Sequence, residues 1–245
     1  MAQNPIVFRY INCPGAVIAP GERRHGKHAL EVSDMNGFVS HTAGQILHQS
    51  VTIGRRDASR YNRGWMLLVS EVTRRVEAFA TESDGEALKS KDLVLALLGW
   101  SPEPFSRETF TPGHVTCTGL VLSPDRDQIL LVHHRRLDRW LLPGGHCEID
   151  DSTVASVAQR EVIEETGAVL VENAAPLVGI DVHPIPAKHR EPLHLHHDLI
   201  FAFRARSLVT QCSEESRAVR WCPLTDFDRY ELPAPIRRAA ARALR

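Results

Sequence analysis

Arg160-Glu161-Val162-Ile163-Glu164-Glu165-Thr166-Gly167-Ala168 closes a helix whose sequence signals begin near Thr153, and this stretch decides how the rest of the chain is read. At about 100° per residue, Val154, Val157 and Ala158 share one face, as a helix packed on a core requires. Along that face the next residues are Glu161, Glu164 and Glu165, at i, i+3 and i+4, while Ile163 points the other way. Like charges at this spacing repel by ~0.2–0.5 kcal/mol per pair even on an exposed helix. Burying them without cations is far more expensive. A hard divalent cation resolves the conflict, because Mg²⁺ takes oxygen ligands and uses carboxylates among them. The plainer reading is a solvated helix end, with Arg160 paired to Glu164 at i, i+4.

The surroundings decide between the two. Upstream, Trp140-Leu141-Leu142-Pro143-Gly144-Gly145-His146 sets a Gly-Gly turn ahead of the helix. From Gly145 to Ala168 the chain resembles the Nudix box, G-x5-E-x7-R-E-U-x-E-E-x-G-U with U apolar. The second half of the box is matched at every fixed position. There are two departures. Asp151 stands where the box has its first Glu, and the spacing from Asp151 to Arg160 is one residue longer than the pattern. Both fall in the loop and first helical turn, upstream of the three glutamates, and Glu148 is given a supporting role there.

The resemblance covers roughly His114 to the C-terminus and implies an α/β fold, the Nudix α/β/α sandwich with a mixed β-sheet, here carrying an N-terminal helical extension. It also implies Mg²⁺-dependent hydrolysis of a diphosphate linkage in a nucleoside diphosphate derivative or related small molecule, with Mn²⁺ as a substitute metal. On that pattern Glu161, Glu164 and Glu165 are metal ligands together with the backbone carbonyl of Gly144. Glu161, Glu164 and Glu165 share the orienting or deprotonating of water, and Arg160 orients the glutamates. Some enzymes of the family use a base outside the box. Glu214 and Glu215 are candidates for such a base or an extra ligand, and read equally well as surface acids.

Other residues carry chemistry of their own. In His194-Leu195-His196-His197-Asp198, strand alternation puts His194, His196 and Asp198 on one face. Two His and one Asp suit a transition metal, or they line a substrate pocket. Pocket lining is the expectation, because no further strong ligand is evident nearby in the sequence. Arg139, with His133-His134-Arg135-Arg136, brings positive charge close to the Gly-Gly turn and is expected to clamp phosphate. Trp140 reads as core, and Lys188, His189 and Arg190 as a pocket lid.

Bulk properties bound the rest. The formal net charge of −1 gives no global attraction to nucleic acid or an anionic membrane. The 5 cysteines are scattered, with no C-x-x-C, so neither a disulfide framework nor a structural zinc knuckle is expected. No secretory leader or membrane span is recognisable, and the expected location is cytoplasmic. Residues 1–65 read as a poorly structured or loop-rich extension, with Met66 as an alternative start. Residues 66–112 read as a helical segment and linker, and 113–245 as the catalytic domain. Leu68, Val69, Val72, Val76 and Phe79 form a helical stripe, and the helical segment from Met66 to Gly99 is a candidate homodimer interface. Two rivals remain. One is an isopentenyl diphosphate isomerase-like enzyme, for which Cys147 is the nearest thiol to the Gly-Gly turn. The other is a non-catalytic nucleotide-sensing module.

Overall fold

The computed structural model describes residues 67–81, 84–172 and 174–245, together with a two-residue strand pair, β1 (Ser33–Asp34) and β2 (Gly37–Phe38). The chain divides into two compact units, residues 1–54 and 55–245. Apart from that strand pair, the expectation of a loop-rich stretch over 1–65 lies outside the described residues.

The second unit begins with two helices, α1 (Val69–Glu77) and α2 (Gly85–Trp100), where the periodicity suggested a single helical region. Asp84 caps α2 by accepting from the Ala87 N–H at 3.1 Å. The apolar stripe is buried at Val72, Val76 and Phe79, but Leu68 is exposed. On α2, Leu88 and Leu93 are exposed, whereas Val94, Leu97 and Leu98 are buried. This face packs into the same core as the sheet, with Val115, Ile180 and Phe201. The segment between α2 and the first long strand is also tied in. Phe105 is fully buried, and the Val115 N–H donates to the Pro104 carbonyl at 2.8 Å.

The sheet is built from β3 (Gly113–Leu122), β4 (Gln128–His134), β5 (Arg139–Leu141), β6 (Gly144–His146), β7 (Leu177–Ile185), β8 (His194–Arg204) and β9 (Ser216–Pro223). Its order is β5-β4-β3-β8-β7, with β6 added beside β3 and β9 beside β4. Strands β3 and β8 run parallel over their whole length, and β7 returns antiparallel to β8, so the sheet is mixed. The sequences of β3 and β4, joined by the turn residues Ser123-Pro124-Asp125-Arg126-Asp127, read as a hairpin, but the two strands pair only at the turn, where Leu122 meets Ile129. Beyond that the two strands diverge. β4 takes β9 as its long partner, and β3 takes β6. The gap so opened is where the Gly-Gly turn enters.

Strand alternation gives the sheet two distinct faces. Val115, Cys117 and Val121 of β3, with Leu199, Phe201 and Phe203 of β8, pack against α1, α2 and α3 (Val154–Thr166). The other face is apolar at one end only. Leu120, Leu122, Ile200 and Ala202 are covered there by α4 (Ala234–Ala243), through Ile236, Ala239 and Ala240. At the opposite end the same face presents His114, Thr116 and Thr118 beside His194, His196 and Asp198.

Helix α3 is set by a capping box between Thr153 and Ser156, and it ends at Gly167. Its buried residues are Val154, Val157, Ala158, Val162, Glu165 and Thr166. The apolar stripe therefore continues through Val162, and Glu165 lies on it rather than beside it. The helix approaches β3 closely enough that a Cβ at Gly119 would fall 2.1 Å from the Val162 Cγ2 atom. Gly119→Ala should therefore lower the unfolding free energy by about 1–3 kcal/mol, as overpacked cores do. Urea titration checks this, and an unchanged midpoint would show that α3 does not need this close seat.

Candidate active site

The three residues of β6 each meet the carboxylate-bearing helix or its arginine through the backbone. The Gly144 N–H donates to Oε1 of Glu165 at 3.3 Å. A Cβ at Gly145 would sit 2.6 Å from Oε1 of Glu161, so any side chain there would shift that carboxylate from its place. The His146 carbonyl accepts from Nη2 of Arg160 at 2.9 Å.

Arg160 gathers the acids. Its Nη1 donates to Glu161 at 2.9 Å and to Glu164 at 3.0 Å, and its Nη2 donates to Asp151 at 3.1 Å. The Glu148 carboxylate lies 3.7 Å away. Asp151, the departure from the box, is buried, and its Oδ2 also accepts the Glu148 N–H at 2.8 Å. It thus anchors the guanidinium from the loop ahead of α3. Aspartate is one methylene shorter than glutamate, and the additional loop residue accompanies that shorter reach. Burial opposes the charge on Arg160, but its bonds to Asp151 and the nearby Glu161 hold it protonated well above its ordinary range.

The glutamates themselves are under electrostatic pressure. Burial pushes the Glu165 carboxyl up to about 7, against the Gly144 N–H and with the charges of Glu161, Glu215 and Glu164 adding to the rise. Glu161 is pushed up to about 6, again by burial, with Arg160 opposing and Glu164 and Glu215 adding. Glu164 is half exposed. Glu215 is exposed, on a loop pinned to the end of α3. Ser213 and Gln211 N–H groups donate to the Glu165 and Thr166 carbonyls, and the Arg135 N–H donates to the Glu215 carbonyl at 3.2 Å. Its charge registers on both Glu161 and Glu165, so the loop after β8 and the box face one another.

This donor set fits a hard divalent cation. Carboxylates outnumber the guanidinium that balances them, two of them are drawn toward protonation by burial and by one another's charge, and Gly145 adds no side chain against Glu161.

The remaining sequence candidates separate from this cluster. Arg139 is exposed at the start of β5, opposite His134, and lines a shallow cleft with Trp140, Arg229 and Tyr230. None of the carboxylates of α3 lines that cleft. Arg135 is committed to the Glu214 and Ser216 carbonyls, at 3.1 and 3.3 Å. Trp140 packs edge-on against Tyr230 rather than lying fully in the core. Lys188 and Glu191 close a small exposed loop between β7 and β8. Asp198 is buried with Oδ1 accepting from Thr116 at 3.0 Å and Thr118 at 2.8 Å, so it ties β8 to β3. His194 and His196 meet His114 and His146, two histidines the sequence reading did not single out. The available signal was the matching parity of His114, Thr116 and Thr118 along β3. Asp181 and His183, bonded to each other at 2.9 Å, extend this polar face onto β7.

A family model for the NUDIX domain matches residues 113–244, more than half of the chain. The chain belongs to the Nudix family and is an enzyme of its pyrophosphohydrolase class. Among solved structures it is similar to a NUDIX-family hydrolase from Clostridium perfringens, with 20% identity, 53% of this chain and 93% of that chain covered, and a TM-score of 0.37. The NUDIX domain of Shewanella oneidensis NrtR, solved with ADP ribose, shares 17% identity over 67% of this chain and 100% of its own, with a TM-score of 0.43. A Caenorhabditis elegans Ap4A hydrolase shares 15% identity over 52% and 93%, with a TM-score of 0.38. No curated relative matches the chain.

The raised carboxyl of Glu165 gives a signed expectation. A carboxyl at about 7 in the fold, against 4.5 ordinarily, favours the protonated form on folding. Its contribution to stability is full below pH 4.5 and is lost as pH rises through about 7. Glu165→Gln, which keeps an acceptor for the Gly144 N–H without the charge, should stabilise the metal-free protein at about pH 8 by at most about 3 kcal/mol. The gain should vanish near pH 4. Denaturant unfolding with chelator at both pH values checks this. A variant no more stable than the parent at about pH 8 would show that the Glu165 charge is already compensated.

Proposed function

We propose that this enzyme hydrolyses a diphosphate linkage in a nucleoside diphosphate derivative, with Mg²⁺ held by Glu161, Glu164, Glu165 and the Gly144 carbonyl. The carrying observation is the cluster of Glu161, Glu164, Glu165 and Glu215, of which Arg160 pairs only Glu161 and Glu164, with Glu165 buried and its carboxyl drawn up to about 7. The bound ion supplies Lewis acidity toward the phosphoryl oxygens and makes a coordinated water more acidic. Mn²⁺, also an oxygen-seeking cation, fits the same donors.

The residues of the chain do the rest. Arg160 fixes the carboxylates of Glu161 and Glu164 at 2.9 and 3.0 Å, which removes the rotamer freedom that would otherwise blur the ligand positions. The Gly144 N–H holds Oε1 of Glu165, leaving Oε2 of that carboxylate free of this bond. A carboxylate with its affinity for protons raised by burial suits a proton acceptor at neutral pH. Glu215 is a second candidate for that task, because it is exposed and its charge is felt by both buried glutamates. Arg139 remains a candidate phosphate contact only for the distal part of an extended substrate.

The isomerase reading is disfavoured by Cys147. Its thiol is buried, 3.8 Å from the Val115 carbonyl and beside Cys117 on the core side of β3. A reactive thiolate needs access, and this buried thiol lacks it.

The test is product release from nucleotide sugars, dinucleoside polyphosphates, ADP-ribose-type dinucleotides and nucleoside triphosphates, with Mg²⁺ and with Mn²⁺. One class should turn over, and Glu164→Gln and Glu165→Gln should each reduce kcat by at least about 100-fold, the low end of what a positioned acid–base group contributes. Folded protein that turns over no class with either metal would sink the hydrolase reading and favour the nucleotide sensor.

A further inference from the structure

Four imidazoles converge on the polar face of the sheet, away from the carboxylates. His114 on β3 stacks on His194 of β8 at 5.1 Å between ring centroids and lies 4.9 Å from His196. His146 of β6 stands 5.1 Å from His114 and 5.2 Å from His196. One ring nitrogen from each of His114, His194 and His196 lies within 4.8 Å of the other two.

The tautomers are set by the backbone. His114 Nδ1 lies 3.1 Å from the Thr109 carbonyl, and His194 Nδ1 lies 2.8 Å from the Pro192 carbonyl. A carbonyl only accepts, so both Nδ1 atoms carry the proton, and both Nε2 atoms present a lone pair. Nδ1–H bonded to a backbone carbonyl is the arrangement that orients metal-ligating histidines. His114 is buried, and its Nε2 has no hydrogen-bond partner among the described residues. A buried acceptor left unpaired is costly, on the order of 1–3 kcal/mol.

Protonation does not relieve the arrangement. Burial, then the neighbouring His114, push His146 down to about 4, and the same causes push His196 down to about 2. His146 and His196 therefore stay neutral at ordinary pH, as ligation by imidazole requires.

We infer that His114, His194 and His196 form a second metal site, taking a late first-row divalent cation of the Zn²⁺ class, with His146 on the remaining side. Neutral imidazole suits Zn²⁺ and its neighbours, whereas Mg²⁺ seeks oxygen, so the two sites sort their cations by ligand chemistry. Zn–N bonds of about 2.0–2.1 Å bring ligand nitrogens to about 3.4 Å apart. The rings therefore draw inward by about an ångström on binding. The sequence favoured pocket lining for His194 and His196 because no further ligand was visible. Pairing of β3 and β6 with this end of the sheet supplies two.

The two sites share β6 but not a face. Residues paired across antiparallel strands point the same way, so His146 opposite Thr116 faces the histidines. Gly145 faces Glu161. Zinc bound at the imidazoles would link β3, β8 and β6 without occupying the carboxylates.

The test is Zn²⁺ titration of the full, chelator-stripped chain in excess Mg²⁺, read by calorimetry. One Zn²⁺ per chain should bind. His194→Gln and His196→Gln should each weaken binding by more than about 100-fold, beyond what loss of an outer partner causes. Glu164→Gln should leave it unchanged. Should a His variant fail to fold, ¹⁵N-histidine spectra of the unmutated chain give an independent reading, with Nε2 of His114 and His194 shifting on Zn²⁺ addition. No Zn²⁺ binding in excess Mg²⁺, binding lost in Glu164→Gln, or unmoved Nε2 resonances would overturn the proposal.

Discussion

The guanidinium of Arg160 meets Asp151, Glu161, Glu164 and the His146 carbonyl at once, with Glu148 slightly farther off. A flexible cation such as lysine offers a point charge, whereas the planar fork reaches several acceptors in fixed directions. Through it the loop ahead of α3, the helix itself and β6 become one rigid unit. The arrangement is stable only because burial stops short of completeness. Glu164 remains half in water, while Glu165, which Arg160 does not reach, carries the electrostatic penalty. The site thus holds one carboxylate in a state that another cation would relieve. In metal-dependent enzymes such local instability is the usual counterpart of binding affinity.

How much of this was legible in the sequence depended on whether the relevant signal is local. Helix α3, beginning near Thr153 and ending at Gly167, and the strand alternation from His194 to Asp198 follow from periodicity and end signals and are found as read. The glutamate cluster was legible for the same reason, since i, i+3, i+4 spacing is a property of one helix. Pairing is not local. That β3 would leave β4 after one residue pair and run beside β8 is decided by packing on both faces of the sheet. No turn signal records it. The same limit hid the imidazole cluster, whose members come from three strands separated by long stretches of chain.

Asp151 shows a third kind of limit. Pattern matching scores it as a mismatch in residue and in spacing, yet in the fold the two deviations act together, and the buried carboxylate still reaches Arg160. A motif records positions along the chain, while an ion pair depends on where the atoms arrive. The helix stripe teaches the same lesson in reverse. Spacing alone put all three glutamates on the core-facing side, but Val162 takes the apolar position. Only Glu165 is fully drawn in.

Strand β6 explains why two clusters of such different chemistry can lie so close without interfering. Its contacts to the carboxylate side run through the Gly144 N–H, the bare Cα of Gly145 and the His146 carbonyl, none of which involves a side chain of its own. Its contact to the imidazole side is the ring of His146 alone. Size is therefore restricted at 144 and 145, and chemistry is free to vary at 146. A substitution at His146 changes the polar face while leaving the backbone bond to Arg160 in place, whereas any side chain at Gly145 displaces Glu161 directly. The pleat of a three-residue strand, rather than distance, is what separates the two sets of ligands.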